Sequence, residues 1–378
     1  RASARRLEAT EAETVFMRMQ ARRTWRYFET FVSAADHMLP PDNFQETPAP
    51  LVAHRTSPTN MGLYLLSVVA ACDFGWIGVA DATSRLSATL GTMAQLPRFR
   101  GHFYNWYSTA DLSPLPPVYV STVDSGNLAG HLITLACACE EWIQKGRKSD
   151  TWREGVRDAL NLALEQATSG SDVFRSSELA QLIETVLQDM KDGHASQLTL
   201  AYRVQMLVGQ AEELVHLLHR RATAGRAGQE ISATGAENLL FWLHAAQDCI
   251  QSERKDLESS PLLHDELHRI AQSARNMALE MEFGFLRNTD RKLLSIGYVV
   301  NEGTLDENCY DLLASEARLA VFFAIAKGDI PAWEWFRLGR PLATVAHGEA
   351  LVSWSGSMFE YLMPSLIMAA PFDSLLEA

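Results

Sequence analysis

The sequence predicts an all-α protein, on three observations. The first is the placement of proline. Nine of the 14 prolines fall between Pro40 and Pro117, five lie from Pro261 onward, and none lies between Val118 and Ser260. Proline costs about 3 kcal/mol inside a helix, so the proline-free stretch is open to long helices. The second is periodicity. Val204, Leu207, Val208, Ala211, Leu214, Val215 and Leu218 recur at helical spacing, with Gln210, Glu212, Glu213 and Arg220 between them. The third is that apolar and polar residues do not alternate convincingly along any run. Leu294–Val300, with its β-branched residues and Tyr298, is the one short strand expected.

The elements follow in order. Helices are predicted at Ala12–Val32, Met61–Phe74, Val79–Gln95 and Ser125–Gln144, then at Glu154–Gln166, Ser177–Asp192, Leu198–Arg221 and Gly235–Leu257, and last at His264–Phe285 and Asp311–Ala326. Four connections, Leu39–Asn60, Pro97–Asp124, Arg287–Tyr310 and Leu338–Glu360, are rich in Trp, Tyr, Asn, Asp, Ser and Gly. Long polar-aromatic loops on a helical scaffold point to a site on one rim of it. Residues 146–260 instead carry charged helices and little loop chemistry. The expected division is 1–145 (first helices and binding loops), 146–260 (an inserted or flanking long-helix subdomain) and 261–378 (further helices and a candidate catalytic loop).

Composition narrows the function classes. Of the 378 residues, 33 are Lys or Arg and 46 are Asp or Glu, a net charge of −13, and 47% are hydrophobic. That is a globular composition. Its sign argues against a nucleic-acid or anionic-membrane partner, because phosphates need a basic face. Cys72, Cys137, Cys139, Cys249 and Cys309 are too few and too scattered for a disulfide scaffold. No apolar run reaches the roughly 18–20 residues of a membrane span; the best, Met61–Ala71, ends at Cys72-Asp73. No signal-peptide pattern opens the chain. The chain starts at Arg1 rather than Met and closes on Leu-Leu-Glu-Ala378, so it is expected to be a piece of a larger polypeptide.

Three constellations carry chemistry. Arg100-Gly-His-Phe-Tyr-Asn-Trp-Tyr107 precedes Val120-Ser-Thr-Val-Asp-Ser-Gly-Asn127. Aromatic rings accept the apolar faces of pyranoses, so Tyr104, Trp106 and Tyr107 offer a platform, with Asp124 and Asn127 as a polar clamp. The plainer reading makes the aromatics core and Asp124 or Ser125 a helix cap. In Ser353-Trp-Ser-Gly-Ser-Met-Phe-Glu360, a carboxyl stands in an otherwise apolar segment. Apolar surroundings raise a carboxyl pKa and suit a general acid; the alternative is a Glu that caps a helix start. In Asp306–Arg318, helical spacing puts Asp311, Ser315 and Arg318 on one face with Glu316 beside them. That face either lines a cleft or holds a buried ion pair of Arg318 with Asp311 or Glu316.

Other matches are weak. His264 and His268 stand at i, i+4, but Asp265 occupies the position where the zinc-protease motif needs Glu. Cys137 and Cys139, two apart on a helix, diverge and read as core. Nucleophile-elbow, phosphate-loop and dinucleotide motifs are absent. No metal and no cofactor are expected.

At these residues the chain resembles a family. Arg22-Arg-Thr-Trp-Arg-Tyr-Phe28, Leu39-Pro-Pro-Asp-Asn-Phe-Gln45, His54-Arg-Thr-Ser-Pro-Thr-Asn60, Phe103-Tyr-Asn-Trp-Tyr107 and Val123-Asp-Ser-Gly-Asn-Leu128 look like the central region of bacterial cyclic β-1,2-glucan synthases. So do Tyr310-Asp-Leu-Leu-Ala-Ser-Glu-Ala-Arg318 and Trp354-Ser-Gly-Ser-Met-Phe-Glu-Tyr-Leu-Met-Pro364. The resemblance implies a glucoamylase-like (α/α)6 barrel, carried here only in part, and a transglycosylase that closes linear β-1,2-glucan into a ring. It implies a parent protein on the cytoplasmic side of the inner membrane. Its other parts would be a membrane glycosyltransferase using UDP-glucose and a phosphorylase-like domain.

Ring closure keeps the β linkage, which implies two inversions through a glycosyl-enzyme intermediate and two carboxyls roughly 5–5.5 Å apart. Glu360 is the expected acid/base, its partner beyond Ala378, with Glu316 and Asp311 as rivals inside the chain. Sugar binding is assigned to Arg55, Asn60, Tyr104, Trp106, Asp124, Asn127, Tyr310, Asp311, Glu316 and Trp354. A β-1,2-glucan hydrolase and a non-catalytic glucan-holding segment are the alternatives.

Overall fold

The computed structural model describes residues 9–145, 150–169, 178–193, 196–223, 230–258, 260–345, 348–370 and 374. Arg1, Ser177 and the last four residues, on which parts of the sequence reading rest, lie outside them. Eleven α-helices are found among the described residues: α1 Glu11–Phe31, α2 Pro58–Asp73, α3 Val79–Met93, α4 Thr122–Lys145, α5 Thr151–Ser169, α6 Glu178–Lys191, α7 Gln197–Thr223, α8 Glu230–Glu258, α9 Ser260–Leu279, α10 Arg318–Lys327 and α11 Met358–Leu362. The fold is all-α, as expected, and the strands that occur are two to four residues long.

Local chemistry sets the helix starts. Thr10 and Glu13 form a reciprocal capping box on α1. Ser57 accepts from the Asn60 N–H ahead of α2, with Pro58 at the first helical position, where its missing N–H costs nothing. Ser121 Oγ accepts from the Asp124 N–H at 3.2 Å and caps α4. Asp124 and Ser125, the caps of the plainer reading, therefore both lie inside the first turn.

The buried apolar side chains form two clusters. The first draws on α1 to α4, α9 and α10, with Trp25, Tyr64, Leu65, Leu86, Leu128 and Phe283 among its members. The second lies within residues 152–250 and is built from α5 to α8, with Val156, Ile183, Val204 and Leu243 at its centre. Each fully buried side chain of this size contributes roughly 1.5–3 kcal/mol. Polar bonds join the two. Asp158 on α5 accepts from Arg18 of α1 and from Trp76 Nε1. Asp256 on α8 accepts from the Val79 and Ala80 N–H groups that open α3.

Helix α4 lies against α2, α9 and α10. Its approach to two of them leaves no room for a methyl group. A Cβ on Gly62 would stand 2.3 Å from His131 Nδ1, and one on Gly126 would stand 2.5 Å from the Ala320 backbone nitrogen.

The loops pair with one another. In register, β1 (Arg55–Thr56) meets β2 (Tyr107–Ser108). The strand expected near Leu294–Val300 is β4 (Gly297–Val299), between β3 (Tyr119–Ser121) and β5 (Thr304–Leu305). β6 (Leu342–Val345) and β7 (Gly348–Leu351) make a hairpin.

Two predicted helices fall short of their expected bounds: α9 stops at Leu279 rather than Phe285, and the helix expected from Asp311 starts late. Asp311–Ala317 is not helical, and α10 begins at Arg318. The Gly339 N–H donates to Asp311 O at 2.6 Å and the Leu313 N–H donates to Gly339 O at 2.9 Å, so these backbone groups are taken by another loop. The expected single helical face of Asp311, Ser315 and Arg318 therefore does not form. Cys139 is buried as expected, whereas Cys137 is exposed.

Gly126→Ala is expected to lower the unfolding free energy by about 1–3 kcal/mol, because a backbone atom, not a mobile side chain, blocks the new methyl. Urea denaturation of the two proteins checks this; equal midpoints would show that α4 and α10 can separate at no cost.

Candidate functional site

The site begins at the first turns of α2 and α4. Thr59 Oγ1 donates to Asp124 Oδ1 at 2.6 Å, and Asn127 Nδ2 lies 3.2 Å from Thr59 Oγ1. The same Asn127 nitrogen reaches Glu316 Oε2 at 3.3 Å. Glu316 sits in the non-helical segment just before α10. On the other side, the Asn105 amide, turned so that each end meets a partner, donates to Asp124 Oδ2 at 3.1 Å. Its oxygen accepts from Trp106 Nε1 at 3.2 Å. A continuous polar chain thus runs from Trp106 through Asn105, Asp124, Thr59 and Asn127 to Glu316.

Aromatic rings stand at both ends. Arg55 lies over the Trp106 ring, 4.7 Å from its centroid, and is held by Asp42 at 2.9 Å. Asp42 also accepts from Asn60 Nδ2 at 3.2 Å. At the far end, Tyr310 and Trp354 approach with ring centroids 6.2 Å apart, and Trp354 is 52% exposed. Burial, with Glu316 and then Asp124 as the nearest negative charges, pushes the Tyr310 hydroxyl pKa up.

The two glutamates have opposite electrostatics. Burial raises the Glu316 pKa; the Asn127 bond works against this, and the Asp124 and Glu360 carboxylates add to it, leaving it at about 7. Burial also acts to raise Glu360, but donors outweigh it and hold its pKa at about 2. Ser353 Oγ, Ser355 Oγ and the N–H groups of Trp354, Ser355 and Ser357 all donate to that carboxylate. Glu360 also completes a capping box with Ser357 on α11. The expected raised pKa of Glu360 is therefore corrected: a loop of serines and backbone amides satisfies its charge, and the carboxyl that retains its proton near neutrality is Glu316.

Other expectations need adjustment. Tyr107 is fully buried; its hydroxyl donates to Pro97 O at 2.6 Å and accepts from the Tyr104 N–H at 2.8 Å. Tyr104 packs half-buried on the same core, so Trp106 is the ring of that triplet that joins the polar chain. Asp311 turns to Arg291 at 3.5 Å rather than into the cluster. Arg318 donates to Tyr361 O at 3.3 Å and makes no ion pair with Asp311 or Glu316 among the described residues. Arg55, Asn60, Trp106, Asp124, Asn127, Glu316, Tyr310, Trp354 and Glu360 are brought into one neighbourhood. Asp42, Thr59 and Asn105 were missed, although all three stand inside or beside the motifs already singled out.

Among the described residues, no group of three or more His, Cys, Asp or Glu could hold a metal ion, and no helix is long and apolar enough to cross a membrane.

Glu316 gives a pH signature. Its folded pKa of about 7 exceeds the ordinary 4.5, so the folded state binds more protons between these values. Its contribution to stability is present below pH 4.5 and is lost as pH rises through about 7. Thermal unfolding of Glu316→Gln should lack that decline, and parallel pH profiles for the two proteins would contradict the assignment.

No family model matches the chain. It is 44% identical over 362 residues to the cyclic beta-(1,2)-glucan synthase NdvB of Rhizobium meliloti, an alignment covering 93% of this chain and 13% of that protein. The chain thus spans about an eighth of its relative. Two solved structures, each described as a "putative glucoamylase", are similar at low identity. The one from Bacteroides fragilis has a TM-score of 0.47 at 12% identity, covering 94% of this chain and 60% of that one. The one from Bacteroides caccae has a TM-score of 0.46 at 10% identity, covering 92% and 59%. Along nearly its whole length, the chain is similar to one segment of a cyclic β-(1,2)-glucan synthase.

Proposed function

We propose that this chain is the glucan-cyclising segment of a cyclic β-1,2-glucan synthase. The observation that carries the reading is the 44% identity to such a synthase along nearly the whole chain. The site chemistry supports it. Aromatic rings flank carboxyls whose pKa values are pushed apart, to about 7 and about 2. That separation is how one site supplies an acid and an ionised partner at one pH.

In this reading a linear β-1,2-glucan lies across the Trp106 and Trp354 ends. Glu316, protonated near neutral pH, gives its proton to the departing glycosidic oxygen. Glu360, ionised, is the candidate partner that faces the developing positive charge at the anomeric carbon. Glu360 bonds to the anomeric carbon as the glycosidic bond breaks, and the chain's own distant hydroxyl then displaces Glu360 and returns a proton to Glu316, so one glycosidic bond breaks, one forms and the β linkage is kept. A tethered acceptor has a high effective concentration and outcompetes water. Residues 146–260 serve as a supporting helical subdomain. The parent protein would add a membrane glycosyltransferase using UDP-glucose and a phosphorylase-like domain at the cytoplasmic face of the inner membrane.

Glu360→Gln and Glu316→Gln in the parent synthase are each expected to lower ring formation by about 10²- to 10⁴-fold while linear glucan still accumulates. Product analysis checks this. Rings at the wild-type rate would remove the residue from the mechanism, and linear reducing oligosaccharides from the unmodified segment would mean hydrolysis.

A further inference from the structure

We propose that Asp42 is a positioning residue that builds a second saccharide subsite from Arg55, Trp106 and Asn60, across the carboxyls from Tyr310 and Trp354. The inference deepens the glucan reading above and rests on it.

Three segments converge to make this subsite. The Asp42 N–H donates to Ala53 O at 3.2 Å and the Ala53 N–H donates to Asn43 O at 3.0 Å, which brings Asp42 beside the strand that carries Arg55. Pairing of β1 with β2 then sets Arg55 opposite Ser108, two residues from Trp106. Asn60 comes from the first turn of α2, next to Thr59, so adjacent residues of one turn reach Asp42 and Asp124.

Asp42 spends its carboxylate on orientation. One oxygen accepts from Arg55 Nε at 3.2 Å, Arg55 Nη2 at 2.9 Å and Asn43 Nδ2 at 3.0 Å; the other accepts from Asn60. Four donors from three side chains already converge on it, so its role is to aim its neighbours. Arg55 is half exposed, and its Nη1 donates to no described residue. The Asn60 side-chain oxygen is likewise an acceptor without a bond among the described residues. A guanidinium, an amide oxygen and the remaining face of Trp106 match a glucosyl unit, which offers hydroxyls at its rim and C–H bonds on its faces. Arg55 covers one indole face, so only the other can receive a sugar. Arg holds this stacked, planar geometry where Lys would not.

The Asn105 bridge places this patch one residue from Asp124, while Tyr310 and Trp354 stand on the Glu316 side. A glucan held at both ends straddles the carboxyls, so the site acts on internal linkages.

The test is calorimetric titration of the 378-residue chain with linear β-1,2-glucan oligosaccharides of increasing length. Asp42→Ala, Arg55→Ala and Arg55→Lys should each weaken binding of long oligosaccharides by about tenfold, the effect of losing one charge-assisted hydrogen-bonding group. The loss should grow with oligosaccharide length, and Asp42→Glu should recover part of it. The length dependence separates this role from a general structural one, and circular dichroism confirms that each variant is folded. Wild-type affinity in all three variants at every length would overturn the subsite while leaving the glucan reading intact. No binding by the unmodified chain would overturn the glucan reading and the subsite with it.

Discussion

The site depends on how closely α4 approaches its neighbours. Gly62 on α2 accepts the ring of His131, and Gly126 on α4 accepts the backbone of α10 at Ala320. A side chain at either position would separate helices whose first two turns carry Thr59, Asp124 and Asn127 and whose neighbouring segment carries Glu316. The contact distances of 2.6 to 3.3 Å along that chain go with this close approach, backbone to backbone at Gly126 and onto the His131 ring at Gly62. The packing also has a cost. Neither nitrogen of His131 has a hydrogen-bond partner among the described residues, and burial lowers its pKa to about 4. A neutral, unbonded imidazole in this notch costs less than a charged one and fills the space completely.

The same packing sets the electrostatics. Glu316 is half-buried with one amide bond and two carboxylates near it, so its ionised form is disfavoured. Glu360 lies on a loop whose serines and N–H groups converge on it, so its ionised form is favoured although it is also buried. The two chemically identical side chains differ because desolvation dominates at Glu316, which has one amide donor, whereas converging donors dominate at Glu360. Backbone amides can supply those donors because Ser353-Trp-Ser-Gly-Ser357 turns tightly around the carboxylate and leads directly into α11.

Much of this was legible in the residues. The proline-free stretch and the apolar periodicity correctly announced long helices at α5 to α8, because helix formation there depends on local sequence and one repeated face. Most residues of the candidate site lie in the four polar-aromatic loops, while Asn127 and Glu316 lie outside them. The reading went astray where local pattern and tertiary partner disagree. Asp311, Ser315 and Arg318 have helical spacing, yet Gly339 takes the backbone bonds of Asp311 and Leu313. Tyr104 and Trp106 differ by two positions, yet one packs on the core and the other reaches the polar chain.

What the sequence determined by itself was the helical class, the acidic balance and the motifs that mark a glucan synthase relative. Spacing, composition and side-chain type act along the chain and need no partner. Only the tertiary structure decided which carboxyl keeps its proton and which loses it. It also decided that Asp42 aims Arg55, and that Asp124 faces Thr59 rather than capping its own helix. Each of these depends on donors and charges from segments as far apart in sequence as Asn127 and Glu316, and a pKa records the sum of such neighbours.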